Sequence, residues 1–381
     1  MSFARAVLDF LQAEREEMVR LTSELIAIPT ENPPGNGYGA CRRLLVARLR
    51  QLGFDARTRG ECVLAWCGQG RGVLYFHGHY DVVPAQDREQ FTPLVRGKNL
   101  FGRGSSDMKS GLAAMAYAAK ALQVCGAVLE GRIGLVFVAD EETGGRRGSQ
   151  APARAGWLGR DGVGMLTAEP TGGAIWNANN GAISLRVTVL GKTAHVSLQH
   201  RGVNAFERML DLVGPLRALK KRVERRPGSI LLLGGRAEGG ASFNAVPGEF
   251  TFTVDRRITP EEDLGAEKER LLGLLPASRC RVEVLQEGEA AQSSPDGALA
   301  QALAESVKRI TGKAPKFEPC GGLLETRFYA KRGIPAFAYG PGLLTVSHGP
   351  KEFVPIDNIV SCAAAYALTA QLLLGRRRRS F

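Results

Sequence analysis

The chain opens with helical periodicity, apolar residues recurring every third or fourth position over 5–26 and again over 39–53. Short, nearly continuous apolar runs follow: VLAWC at 63–67, GVLYFHG at 72–78 and IGLVFVAD at 133–140. Runs of that length predict strands, the last two buried on both faces. SGLAAMAYAAKALQV at 110–124 predicts a buried helix between strands. Apolar strands alternating with helices predict an α/β layer around a central sheet. The texture changes at Gly172–Gly173. AISLRVTVLG at 182–191 alternates like a strand with one exposed face, and 204–223 reads as an amphipathic helix. Strands follow at 230–235 and 249–257, then a helix over 259–275 opened by Thr259 as its cap, then a strand at 280–286. That order predicts a ferredoxin-like α+β unit over 177–287, inserted into an α/β domain made of 1–176 and 288–381. Beyond 288 the first texture resumes, with a helix at 296–311, a strand at 334–340 and a C-terminal helix over 359–374.

The 381 residues are 44% hydrophobic and 23% charged, a composition that excludes a disordered or collagen-like chain. Seven cysteines, none in a CxxC pair, read as small buried hydrophobes in a reducing compartment rather than a disulfide framework. The N-terminal segment carries Asp9, Glu14, Glu16 and Glu17, which exclude the apolar core of a signal peptide. The apolar stretch 359–374 falls short of the roughly 20 residues a membrane span needs. The expectation is a cytoplasmic protein without a membrane partner. The formal charge is +12, four of it in Arg376–Arg379, which read as a solvated tail rather than a nucleic-acid anchor. The remaining excess is scattered and lacks the basic–aromatic interleaving of single-strand binders.

The five histidines, 77, 79, 195, 200 and 348, all fall beside glycine, carboxylates or loop residues. In HGHYDVVP at 77–84, His79 ends an apolar strand, where α/β sheets place ligands, and Asp81 follows two residues on. Such a carboxylate can orient a metal-bound imidazole by accepting its second N–H, although a structural pair is about as common. Asp107 in GRGSSDMKSG sits where it could equally cap a helix. ADEETGG at 139–145 places three adjacent acids at the end of a buried strand, a crowding hard to explain without a cation. Glu169 in TAEPT and His348 in SHGP end further apolar or glycine-rich stretches. His79, Asp107, Glu142, Glu169 and His348 thus form a donor set suited to zinc, cobalt or manganese. Five ligands exceed one tetrahedral zinc and suit two ions about 3.5–4 Å apart.

The ordered motifs GHxDVVP, GRGSSDMKxG, ADEExGG, AEPT, GKxAHxxxxxxGVNA, NxxPGE, DxR and SHxPxE run from about residue 25 to 360. In this the chain resembles the di-zinc family of aminoacylases, acetylornithine deacetylases, succinyl-diaminopimelate desuccinylases and glutamate carboxypeptidases. The resemblance implies a zinc-peptidase-like catalytic domain with a mixed sheet, and a ferredoxin-like lid through which two copies form a homodimer. It implies that His79 and Glu169 bind one Zn2+, Glu142 and His348 the other, and Asp107 bridges them, with Co2+ or Mn2+ as substitutes. Asp81 would orient His79, Glu141 would act as general base, His195 would steady the oxyanion, and Asn244 and Arg257 would contact substrate. The Asp107–Met108 peptide would be cis. His77 and His200 have no role in the pattern. Arg257 has the alternative of a surface charge, like that expected of Arg256. The implied activity is removal of the acyl group from an N-acyl amino acid, with a carboxypeptidase or dipeptidase as alternative and a non-catalytic zinc-binding protein as a third reading. Relatives often carry Thr/Ser-Asp-(Gly/Ala)-Arg-Phe where this chain has GGLLETRFY at 321–329, which removes a hydroxyl and weakens the desuccinylase reading. Leu323 and Leu324 in that stretch would favour a more apolar acyl group.

Overall fold

A computed structural model of the chain describes residues 2–376. The chain folds as two compact units. One contains the residues up to Asn177, Gln292–Pro319 and the chain from Glu325 onward; the other contains Ala178–Ala291 and Cys320–Leu324.

The first unit is built on a mixed sheet. Its order runs Arg57–Arg59, Cys62–Gly68, Gly131–Val138, Gly72–His79, Gly162–Thr167, Ala336–Ala338, Ile175–Asn179, Ala291–Gln292, with Phe317–Cys320 pairing to Ile175–Asn179. Gly72–His79 lies parallel to both of its neighbours, and Gly162–Thr167 is parallel to Ala336–Ala338. These strands therefore all deliver their carboxyl ends to one edge, where His79, the residues after Val138 and the residues after Thr167 emerge. The central strands are buried along nearly their whole length, as their continuous apolar sequences require.

The helix Lys109–Val124 is rich in alanine and glycine, so it packs close to its neighbours and buries almost every side. Ile356–Leu374 lies beside it and against Ala298–Thr311 and Phe3–Ala13. It is long and apolar enough to cross a membrane, yet it is largely buried within this core. The periodic stretch at 5–26 forms two helices, Phe3–Ala13 and Arg15–Ile26, rather than one; Glu14 leaves the helical conformation between them. The seven cysteines are all free, and all but the half-buried Cys125 are buried. Of the C-terminal arginines only Arg376 is described; Arg377–Arg379 lie outside the described residues.

The second unit is an antiparallel sheet in the order Ile230–Gly239, Glu249–Ile258, Gly181–Leu190, Cys280–Gly288, with helices Ala205–Val223 and Leu264–Gly273. Ile183, Leu185, Val187 and Val189 alternate along the central strand and pack with Leu212, Leu216, Leu219 and Leu271. Two expectations change here. The second helix opens at Asp263, whose carboxylate accepts the Ala266 N–H, and not at Thr259. Arg256 is no surface charge: it is fully buried and bonds Glu262 at 2.5 Å, Glu267 at 2.9 Å and Ser229 Oγ at 2.8 Å. The two changes share a cause. Glu262 turns inward to Arg256 and also accepts the Thr259 N–H at 2.9 Å, so the segment 259–262 serves this ion pair and the helix starts after it.

Candidate metal centre

His79 is the last residue of its strand, and Gly78 before it lets the helix carrying Met108 and Leu112 approach closely. A Cβ at 78 would meet Met108 Cε at 2.5 Å and Leu112 Cδ2 at 2.7 Å. The ring of His79 is buried; its Nε2 stands 3.2 Å from Asp107 Oδ1 and 4.0 Å from Glu169 Oε1. Asp107 closes a glycine–serine loop, is 8% exposed, and is followed by a cis peptide to Met108. Its second oxygen faces His348 Nε2 at 3.4 Å, and His348 in turn lies 3.5 Å from Glu142 Oε2. Two groups result, His79–Asp107–Glu169 and Asp107–Glu142–His348, each with its donor atoms within 4.8 Å of one another and Asp107 common to both. His348 differs from the other four in standing half exposed, at φ +63° on a loop.

The electrostatics show why this cluster suits cations. Burial pushes the Glu169 carboxyl up to about 8, reinforced by Asp107 and opposed by His79. Burial likewise lifts Glu142, and lifts Glu141 well above its usual range, with Glu169, Glu142 and Glu325 adding to it. Asp107 goes the other way: burial opposes its charge, but His348 and His79 outweigh it and hold the group below the usual carboxylate range. His348, bonded to Asp107 and Glu142 against the cost of its burial, is raised to about 11. Burial disfavours a charged His79, yet Asp107 and Asp81 overcome this and hold it well above normal. Four acids crowded on one edge, two of them buried and two half-buried, thus share too little positive charge. Their oxygen donors with two imidazoles are the donor chemistry of zinc and of similar divalent ions, so the residues fit such a centre.

Asp81 touches both the imidazole and the acidic loop. The His79 Nδ1 bonds the Asp81 main-chain carbonyl at 3.0 Å, while the Asp81 carboxylate stands 3.6 Å away. That carboxylate also accepts the N–H groups of Glu141 at 3.2 Å and Glu142 at 3.1 Å, and the Asn32 amide at 2.9 Å. It fixes the loop bearing the acids directly and the imidazole through its backbone. Glu141 is half-buried at the start of this loop.

The other named residues fall in the inserted unit. His195 and Asn244 are exposed on adjoining loops, where the Val196 N–H bonds the Asn244 carbonyl at 3.0 Å. His195 Nδ1 lies 2.8 Å from Ser197 Oγ. Arg257 sits toward the far end of Glu249–Ile258 and is held by Asp255 through bonds of 2.6 and 3.0 Å. The inserted unit therefore brings His195 and Asn244 together and keeps Arg257 apart from them.

Further buried polar residues support this edge of the sheet. His77 is fully buried and bonds Glu325 Oε2 at 2.7 Å, Tyr329 Oη at 2.9 Å and Ser149 Oγ at 3.0 Å. Glu325 and Arg327 are both buried, and Arg327 Nη2 donates to the Gly144 carbonyl at 3.0 Å, beneath the acidic loop. Lys109 donates to the carbonyls of Leu25 at 2.8 Å and Ile28 at 2.9 Å, fastening the end of an N-terminal helix beside the Asp107 loop. Burial of a charged residue is not visible in composition.

Residues 75–372 match peptidase family M20/M25/M40, most of the chain. The chain belongs to this family. Its members are metal-dependent hydrolases of amide bonds, and so is this protein. Solved M20-like structures share the fold. A di-peptidase from Saccharomyces cerevisiae superposes with a TM-score of 0.82 at 16% identity, covering 98% of this chain and 99% of its own. An M20 family metallo-carboxypeptidase from Sulfolobus solfataricus gives 0.82 at 19% identity, covering 94% and 99%. Human carnosine dipeptidase 1 gives 0.78 at 15%, covering 97% and 99%.

Proposed function

We propose that this chain removes the acyl group from a small N-acyl amino acid, using two divalent cations, zinc foremost, with cobalt or manganese as substitutes. The observation that carries the reading is the pair of His–carboxylate groups sharing Asp107, with the half-buried Glu141 beside them. His79 and Glu169 would hold one ion, Glu142 and His348 the other, and Asp107 both. Bound cations of this kind supply Lewis acidity, which makes water a nucleophile near neutral pH and polarises an amide carbonyl.

Glu141 then acts as the proton carrier. Its carboxylate takes a proton from the attacking water and returns it to the amine nitrogen as the C–N bond breaks, leaving a carboxylate and a free amino group. The Asp81 carboxylate holds Glu141 and Glu142 through their backbone N–H groups, so the base keeps its place as charge moves. His195 would donate to the developing oxyanion, and Asn244 and Arg257 would bind the amino-acid part of the substrate, in a homodimer formed through the inserted unit. Hydrolysis of a dipeptide is the second reading, favoured by the dipeptidases among the similar structures.

The test is elemental analysis together with a panel of N-acyl amino acids and dipeptides, on wild type and Glu141→Ala. We expect about two metal ions per chain in both proteins. Turnover should fall by orders of magnitude in the variant. A metal-replete wild type inert toward the whole panel, or an active Glu141→Ala, refutes the proposal, and the preferred substrate class separates the two readings.

A further inference from the structure

Glu352 lies four residues after His348 and is 2% exposed. Its Oε1 accepts the backbone N–H groups of Gly104, Ser106 and Asp107, each at 3.0 Å. Its Oε2 accepts from Arg103 Nη1 at 2.6 Å. That guanidinium is 1% exposed and reaches on to the His348 carbonyl at 3.3 Å and to Gln86 Oε1 at 2.7 Å. Gln86 closes the circuit by donating to the same His348 carbonyl at 2.8 Å. All these residues belong to the first unit.

The consequence follows from what the two loops carry. Three N–H groups converging on one carboxylate oxygen fold the 104–107 loop around Glu352, a concave arrangement suited to a negative charge. The loop ends in Asp107, the residue common to both halves of the centre. The second loop holds His348 in a left-handed conformation unfavourable for a non-glycine residue, and the Arg103 and Gln86 bonds to its carbonyl secure it. The half formed by His79, Asp107 and Glu169 is buried throughout. The half formed by Asp107, Glu142 and His348 relies on a side chain 52% exposed, so its geometry depends on what ties its loops together.

We propose that Glu352, acting with Arg103, is a positioning residue of the metal centre that sets the Asp107–His348 spacing and thereby the affinity of the Asp107–Glu142–His348 half. This rests on the reading that the centre binds divalent cations. A glutamine at 352 cannot replace the carboxylate: its one oxygen serves either the three N–H groups or Arg103, and its NH2 opposes the other donors.

The experiment titrates the metal-stripped protein with Co2+, read by visible absorption and calorimetry, for wild type, Glu352→Gln, Glu352→Asp and Gln86→Ala. In Glu352→Gln one equivalent should bind as in wild type and the other about 10–100-fold more weakly. Glu352→Asp, which keeps the charge, should recover part of the loss. Saturating Co2+ should restore kcat with KM unchanged. A Glu352→Gln protein with lower Tm but a wild-type isotherm overturns the proposal, leaving a merely structural role. Should Glu352→Gln not fold, the exposed Gln86→Ala decides, with a weakening of about threefold or more expected from loss of its two bonds, to Arg103 and to the His348 carbonyl; an unchanged isotherm overturns the proposal. Wild type that takes up no Co2+ refutes the metal reading itself; wild type that binds two equivalents while Glu352→Gln and Gln86→Ala match it refutes only the role of Glu352.

Discussion

Stripping the cations should leave a centre that stores protons, and the number can be worked from its groups. Without metal, Glu169 is pushed up to about 8, His348 to about 11, and His79 is held well above its usual value. At pH 7 Glu169 and His348 carry protons and the charged form of His79 is favoured, while Asp107 is held toward its ionised form. Each bound proton must leave before its group can serve as a ligand, so filling the centre at pH 7 should release about two protons from Glu169 and His348, and more as far as His79 is charged. Affinity should therefore climb steeply as pH rises from 6 to 8, and less steeply above 8, once Glu169 has ionised. The same shift acts on folding. Because the folded-state value for Glu169 lies above the ordinary 4.5, its contribution is fully present below pH 4.5 and is lost as pH rises through about 8. At about 1.4 kcal/mol per pH unit the loss reaches at most about 5 kcal/mol in the metal-free protein. Cations replace the proton and remove this dependence. Calorimetric titration with Zn2+ at pH 7 in two buffers of different ionisation enthalpy counts the protons. Release of less than one proton, with affinity flat between pH 6 and 8, would refute the reasoning.

Other perturbations report on separate parts of the molecule. Asp81→Ala removes the acceptor of the Glu141 and Glu142 N–H groups and should weaken metal binding by about 10–100-fold, measured by chelator competition. Arg256→Met removes the buried cation that Glu262 and Glu267 share, leaving Glu267 only Arg270, and should cost about 3 kcal/mol in denaturant unfolding. Gly78→Ala drives a methyl group against Met108 and Leu112 and should cost about 1–3 kcal/mol, with a lower metal affinity because Met108 adjoins Asp107. Phe243→Ala, at a fully exposed ring, should change stability by less than about 0.5 kcal/mol.

Legibility tracked periodicity. Continuous apolar strands such as GVLYFHG and IGLVFV announce a sheet covered on both faces, and AISLRVTVL announces one with a single buried face, because side-chain spacing along a strand is a local property. Polar residues ending those strands stood out for the same reason. His79, Glu142 and Glu169 each follow an apolar run that the chain cannot otherwise terminate with charge. Arg256 shows the limit: within EFTFTVDRR it is indistinguishable from a surface residue, and Glu262, just before the helix that follows, and Glu267, on it, make its burial tolerable.

From its sequence alone the protein had its α/β texture, its inserted alternating segment and the residue types of a metal-dependent amide hydrolase, because these are written in short-range order. The packing of distant loops decided the rest. That the Asp81 carboxylate also fastens the acidic loop, that Glu325 pairs with His77, and that Glu352 gathers three backbone N–H groups are relations between segments up to about 250 positions apart. Each arises where burial removes water and obliges a polar group to find a partner in the chain, and which partner is within reach is settled in three dimensions.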